Sequence, residues 1–393
     1  MSKLDWALLI VTALVAISGY IEGFVLGACA TVGLLVGAGL GVWGVPRVLD
    51  HFSPSVSVSF AALVLVVLLA AIGRTFGAMI GTRVRNRLSW KPIRFLDALG
   101  GAALAAASVL IVAWVLGVAV SGARIPSVTS AVRGSQVLAK VDQVLPASAD
   151  RALQSFNDVV NTDLFPRFLD PFVPERIRET QPPDSAIARQ QPVREAYSRI
   201  AKVTGIANCS RGLEGSGFLY APQRVMTNAH VVAGVSSPQV ELNGKKYDAK
   251  VVVFDPETDI AVLYLPKLND PNLKPLTFDL TGTADASAVV LGYPENGPFD
   301  AEPARIRSEE RLRGPDIYGD RTVTRDAFSI WASVRPGNSG GPLLSAKGTV
   351  YGVVFAASVE DNRTGYVLTA QQVSTDARTG TTATQDVSTQ SCT

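Results

Sequence analysis

The chain has 393 residues and a net charge of +2. It is long enough for more than one domain, and it lacks the basic excess expected of a nucleic-acid-binding protein. Only 18% of residues are charged and the mean hydropathy is +0.24. These averages hide two unlike parts. Leu4 to about Val120 is mostly Ala, Val, Leu, Ile and Gly, and the rest has an ordinary globular mix.

Spanning a bilayer takes about 20 mostly apolar residues in a helix. Asp5–Tyr20, Phe24–Val45, Val58–Ile80 and Gly100–Val120 meet that description, so four spans are expected. A cleavable signal peptide does not fit, because further spans follow the first. The connection between the third and fourth spans carries Arg83, Arg85, Arg87, Lys91 and Arg94, and no other short loop is as basic. Basic loops stay cytoplasmic, which places everything after Ser121 outside. Gly33, Gly37 and Gly41 recur every fourth residue, as do Gly73, Gly77 and Gly81. On helices they form smooth stripes that let two backbones approach closely, and packing within one bundle is expected over dimerisation. Arg74 and Glu22 are ionisable groups at membrane depth and are expected to snorkel or to pair. The four spans and the glycine content resemble the membrane domain of colicin V production proteins, a resemblance that assigns no chemistry.

Val128–Leu145 and Ala149–Leu164 space their apolar residues as helices do. Pro166, Pro171, Pro174, Pro182, Pro183 and Pro192 then break regularity. A helical stalk followed by an exposed, extended linker is expected. Such a linker is a natural site of proteolysis, self-cleavage included. From Val203 onward short β-like runs alternate with Gly, Pro, Asn and Asp, the pattern of an all-β sandwich or barrel.

Three stretches of this β region carry chemistry. Arg335-Pro336-Gly337-Asn338-Ser339-Gly340-Gly341-Pro342 puts a serine in a glycine-rich turn, where a nucleophile finds an exposed position and backbone N–H groups. Met226-Thr227-Asn228-Ala229-His230-Val231-Val232 supplies a base. The chain has two histidines, and the other, His51, lies in the membrane half. Asp255-Pro256-Glu257-Thr258-Asp259 supplies an acid. Asp259 is favoured because it leads directly into the apolar run Ile260–Leu263, whereas Asp255 precedes a proline in a turn. Cys209 and Cys392 form one disulfide if the compartment is oxidising, or stand as separate thiols. Cys29, in an apolar run, needs no function. Three Cys and two His fit no zinc pattern and no nucleotide loop appears, so no metal or other cofactor is expected.

The order His, Asp, Ser is that of chymotrypsin. Together the three stretches closely resemble the HtrA-type trypsin-like proteases of bacteria. Joined to a multi-span anchor, they resemble the actinobacterial membrane-anchored, acid-resistance periplasmic serine proteases. The resemblance implies two six-stranded β-barrels with the site in their cleft. His230, Asp259 and Ser339 would be the catalytic residues, with Gly337 and Ser339 N–H groups as the oxyanion hole. Asn338 stands where digestive enzymes carry the aspartate of a zymogen switch, so that switch is not expected. No PDZ domain follows in the chain, so capture of peptide tails is not expected either. Ser333, Phe355, Ala356, Ala357 and Gly365 would form the first specificity pocket. Ser333 occupies the position where a preference for Arg or Lys needs an acid, so a medium or large apolar residue is expected there.

The sequence thus predicts an α-helical membrane domain (1–123), a stalk and Pro-rich linker (124–195) and an all-β chymotrypsin-like double barrel (196–393). The expected function is an extracytoplasmic serine endopeptidase acting on periplasmic or cell-wall proteins, held in the lipid bilayer and serving in envelope, acid or oxidative stress. The alternatives are a membrane-anchored pseudoprotease that senses or binds, and a transport protein with an accessory soluble domain.

Overall fold

The computed structural model describes residues 1–49, 56–88, 90–121, 126–145 and 172–392. The chain divides into two compact units, residues 1–117 with 135–144 and residues 118–134 with 145–393.

The first unit is helical: α1 (Lys3–Glu22), α2 (Phe24–Leu49), α3 (Val56–Arg85), α4 (Lys91–Ser121) and α6 (Gln136–Val144). A capping box starts α1, with Ser2 Oγ accepting from the Asp5 N–H and Asp5 Oδ2 from the Ser2 N–H. Gly23, at φ 82°, ends it. Three helices, rather than the expected four, are long and apolar enough over the described residues to cross a membrane: Lys3–Glu22, Phe24–Gly41 and Lys91–Val118. The remaining expected span, Val58–Ile80, falls on α3, part of whose side chains lie outside the described residues.

The glycine stripes pack α2 against α3. A Cβ built on Gly33 would lie 2.2 Å from the Gly73 carbonyl oxygen, and one on Gly77 would lie 2.1 Å from that of Cys29. Arg74 and Glu22 are both exposed. The ion pair among the described residues of this unit is Arg85–Asp97, at 3.0 Å, and Asp97 Oδ1 also accepts the Val25 N–H at the start of α2. The expected helix over 128–145 breaks at Gly134 into α5 (Pro126–Arg133) and α6. Ser135 causes the break by capping α6: its Oγ accepts the Leu138 N–H and donates to buried Asp5. The expected helix Ala149–Leu164 lies outside the described residues, as do Pro166 and Pro171.

The second unit begins at Val118, in the last turn of α4, and includes α5. Arg133 is buried, donates to the Val173 carbonyl and pairs with Glu360 at 2.9 Å. From Phe172 the chain runs extended along the β domain. Arg178 and Arg307 each donate to the other's carbonyl, and Ile187 is fully buried. The Pro174–Pro183 stretch is therefore pinned at intervals while much of its surface stays exposed.

Thirteen strands follow in two sheets. The first holds β1 (Ile200–Ile206), β2 (Gly212–Ala221), β3 (Arg224–Thr227), β4 (Gln239–Leu242), β5 (Lys245–Asp248), β6 (Lys250–Asp255) and β7 (Ile260–Tyr264). Its order is β5-β4-β1-β2-β3-β7-β6. It therefore has seven strands rather than six, because Asn243-Gly244, both at positive φ, makes a tight hairpin that splits off β5. The second sheet is a closed six-stranded barrel, β10-β13-β12-β11-β8-β9. Its strands are β8 (Ser287–Gly292), β9 (Asp300–Pro315), β10 (Thr322–Trp331), β11 (Pro342–Ser345), β12 (Val350–Ala357) and β13 (Thr364–Thr369). One apolar cluster joins the sheets: Phe218, Met226 and Val262 of the first pack with Leu291, Val353 and Phe355 of the second. Burying each such side chain contributes about 1.5–3 kcal/mol.

The tail is more ordered than its Thr, Ser and Gln content suggests. After α7 (Gln191–Ala196), which precedes the strands, the last helix is α8 (Ser374–Thr382), packed on β6 and β7. Arg224 donates to the Gly380 and Ala383 carbonyls, Val387 N–H to Val251, and Gly234 N–H to Thr389. Cys209 and Cys392 are disulfide-bonded, with Cα atoms 6.4 Å apart, and clamp that tail to the turn after β1. Cys29 is free.

Candidate active site

The expected base and acid meet at the end of β3 and the start of β7. β3 pairs with β7 in a register that sets Thr227 opposite Ala261. His230 and Asp259, a few residues beyond these ends, then converge. Asp259 is fully buried and His230 nearly so. Asp259 Oδ2 lies 2.8 Å from His230 Nδ1, and Oδ1 also accepts the His230 backbone N–H at 3.0 Å. A carboxylate accepts only, so Nδ1 carries the hydrogen and Nε2 is left basic. Asn228 Nδ2 holds the Asp259 carbonyl at 2.8 Å. Asp255 does not compete: its Oδ1 accepts the Glu257 and Thr258 N–H groups and so folds the turn. His51 lies outside the described residues.

The nucleophile turn comes from the closed barrel and is seated on the same strand. A Cβ on Gly340 would lie 2.4 Å from Thr227 Oγ1 and 3.0 Å from the Asn228 nitrogen. With φ at +82° as well, only glycine fits. Ser216 of β2 ties this turn to the first sheet. Its N–H donates to the Ser339 carbonyl at 2.8 Å and its Oγ to the Gly337 carbonyl at 2.6 Å. Its Oγ also accepts the Tyr293 N–H, and its carbonyl accepts from Thr227 Oγ1. Gly215-Ser216-Gly217 was visible in the sequence, but nothing local marked Ser216 for this role.

The expected oxyanion turn has a defined orientation. The Pro336 carbonyl accepts the Glu295 N–H at 2.7 Å. In a planar trans peptide the N–H points opposite to the C=O, so the Gly337 N–H is directed away from Glu295. Gly337 sits at φ +88°, and a Cβ there would lie 2.4 Å from the Tyr293 carbonyl oxygen. Asn338 is buried, and its Oδ1 accepts the Arg335 N–H.

The expected pocket residues are only partly brought together. Ala357 pairs with Gly365 across β12 and β13. Val334, which sequence reasoning missed, fills the space over Gly365: a Cβ on that glycine would lie 2.3 Å from Val334 Cγ2. Ala356 is buried and paired with Tyr366. Phe355 is fully buried in the core and offers no accessible surface, and Ser333 is exposed with its N–H toward Glu302. Phe355 turns inward because strand alternation puts it on the same face as Val353, in the cluster that joins the two sheets.

Comparison with known proteins follows the same division. The model of the trypsin-like peptidase domain matches residues 215–353, and that of colicin V production protein matches residues 4–146. Serine protease Rv3671c of Mycobacterium tuberculosis is 39% identical over 394 residues, spanning 99% of this chain and 98% of that protein. The chain belongs to the Rv3671c family of trypsin-like serine proteases. The crystal structure of the Rv3671c protease in its active form matches with a TM-score of 0.53 and 44% identity, over 57% of this chain and 98% of that one. Serine protease Do-like HtrA of Lactococcus lactis is 32% identical over 181 residues, 41% of this chain and 43% of that protein. As a member of the Rv3671c family, this chain is a serine endopeptidase.

One titratable group beside the acid turn makes stability depend on pH. Asp376, half-buried on α8, has its carboxyl pushed up to about 7 by burial, with the charge of Asp255 adding to the effect. A carboxyl raised on folding favours the fold while it is protonated. Its contribution is complete below about pH 4, the unfolded value, and is lost as pH rises through about 7. Asp376→Asn is therefore expected to raise the Tm of the full chain more at pH 8 than at pH 4. Equal shifts in thermal unfolding at the two pH values would contradict this.

Proposed function

We propose that this chain is a membrane-anchored endopeptidase whose catalytic domain, residues 196–393, works outside the cytoplasm on envelope proteins. In this reading Ser339 attacks the scissile carbonyl, and His230 takes its proton through Nε2 and returns it to the leaving amine. Asp259 fixes the imidazole tautomer and stabilises the imidazolium. The N–H groups of Gly337 and Ser339 receive the developing oxyanion. Residues 1–123 anchor the enzyme in the lipid bilayer through the stalk and linker of 124–195, where self-cleavage would free the domain. The bond it cuts follows a medium or large apolar residue, received between Ala356, Ala357 and Gly365 with Val334 at the base. Envelope, acid or oxidative stress is the proposed setting.

The observation that carries this reading is the pairing of buried Asp259 with His230 Nδ1 on the strand that also seats the nucleophile turn. The basic connection from Arg83 to Arg94 supports the orientation, and the disulfide supports an oxidising compartment. The test is labelling of intact cells with a membrane-impermeant fluorophosphonate. Labelling of the wild type before lysis, and none of Ser339→Ala, is expected. Labelling that appears only after lysis would reverse the orientation.

A further inference from the structure

The acid of such a site must be held firmly, because the imidazole takes its direction from it. Asp259 sits at φ +64°, a left-handed conformation uncommon for non-glycine residues but one that Asp adopts more readily than most. Part of the restraint on it comes from its own sheet, through Asn228 and the Asp255 turn. The rest comes from the closed barrel. The hairpin joining β9 and β10 reaches the turn Asp255–Asp259 and bonds its backbone twice. Ile317 N–H donates to the Pro256 carbonyl at 3.2 Å, and Arg325 Nε donates to the Glu257 carbonyl at 2.8 Å. Arg325 Nη1 donates back to the Pro315 carbonyl of its own hairpin at 3.0 Å.

Arg325 is 1% exposed. A guanidinium buried so fully is costly, and an apolar side chain would fill the same space without that cost. What offsets it here are the two carbonyls and the surrounding carboxylates of Asp259, Asp316, Asp255 and Glu257. Its planar fork can hold two carbonyls of different elements at once. On the outer side of the turn Arg321 pairs with the Glu257 carboxylate at 2.7 Å, but both groups are largely exposed, and such pairs contribute little.

We propose that Arg325 is a positioning residue for catalysis. By fastening the Asp255–Asp259 turn to the closed barrel, it fixes Asp259, and through it the His230 imidazole, relative to a nucleophile carried by that same barrel. This rests on the reading of Asp259 as the catalytic acid.

The test uses the full-length chain in detergent and compares Arg325→Met, Arg325→Gln and Arg325→Lys with the wild type. Asp259→Asn and Arg224→Met accompany them. Arg224 is a second buried arginine bonded to backbone carbonyls, those of Gly380 and Ala383. Each variant is read for Tm, kcat and KM on one peptide substrate. A slightly misplaced catalytic group costs up to about 100-fold in rate. Arg325→Met and Arg325→Gln are therefore expected to lose about 10- to 100-fold in kcat with KM within about threefold. Arg325→Lys, which keeps a buried cation and donors but not the planar fork that spans both carbonyls, is expected to recover only part of that loss. Arg224→Met is expected to lower Tm and leave kcat near wild type. If Arg325→Met does not fold, Arg325→Gln is read by the same criterion. A folded Arg325→Met or Arg325→Gln variant with wild-type kcat would overturn the proposal, as would an equal loss of kcat in Arg224→Met. Asp259→Asn separates the two ideas: if it stays active, the reading of the acid fails first.

Discussion

Ser339→Ala is expected to lower kcat about a million-fold with little change in KM, the size of loss seen when a nucleophile working as one unit with its base is removed. The turn Pro336–Gly341 is held by Ser216 through the Gly337 and Ser339 carbonyls, and by Glu295 through the Pro336 carbonyl. None of these bonds uses the serine hydroxyl, so the turn keeps its shape in the alanine variant and substrate still binds. His230→Ala is expected to cost about as much, and the double variant little more, because either residue alone is idle without the other. Hydrolysis of a fluorogenic peptide by the full chain, at matched folded fraction, measures this. Losses that multiply in the double variant would mean that Ser339 and His230 act separately.

Asp259→Asn is expected to lower kcat about 10,000-fold while the fold is kept. Asp259 Oδ1 accepts the His230 backbone N–H at 3.0 Å, and Oδ2 lies 2.8 Å from Nδ1. An asparagine can keep the first bond only by turning its NH2 toward Nδ1. That moves the ring hydrogen to Nε2, where it can no longer take a proton from Ser339. Asp255→Asn is the matched control. Its Oδ1 accepts two backbone N–H groups, which an amide oxygen can also do, so kcat is expected to change only about threefold. A larger loss from Asp255→Asn than from Asp259→Asn would exchange their roles.

The proposed catalytic residues are legible in the sequence because each sits in a short contiguous stretch whose spelling reflects a local need. The turn at Gly337–Gly341 requires glycines at positive φ, and His230 follows a buried strand directly. The residues that hold the chemistry in place were not legible. Ser216 reaches Gly337 across 121 positions, and Arg325 reaches Glu257 across 68. A lone serine or arginine in a strand carries no mark of a partner that far away. The pocket shows the same limit: Ala357 and Gly365 come from the resemblance to HtrA-type proteases, but Val334 is recognised only once the chain is folded against Gly365 of β13.

The helical unit divides likewise. Glycine stripes are a periodic signal, and they pack α2 on α3 as the period requires. Asp97, between the third and fourth expected spans, joins Arg85 to the start of α2, a contact no period encodes. The extra strand of the first sheet followed from one Asn-Gly pair whose turn type fixes the hairpin.

The central claim is that Ser339 is a working nucleophile activated by His230. The most direct measurement is to treat the purified full-length chain with a fluorophosphonate and locate the adduct by mass spectrometry of its peptides. A single adduct on Ser339, absent from His230→Ala and Asp259→Asn under the same conditions, is the predicted result. An adduct on another serine, or none on a folded chain with the Cys209–Cys392 bond intact, would contradict it.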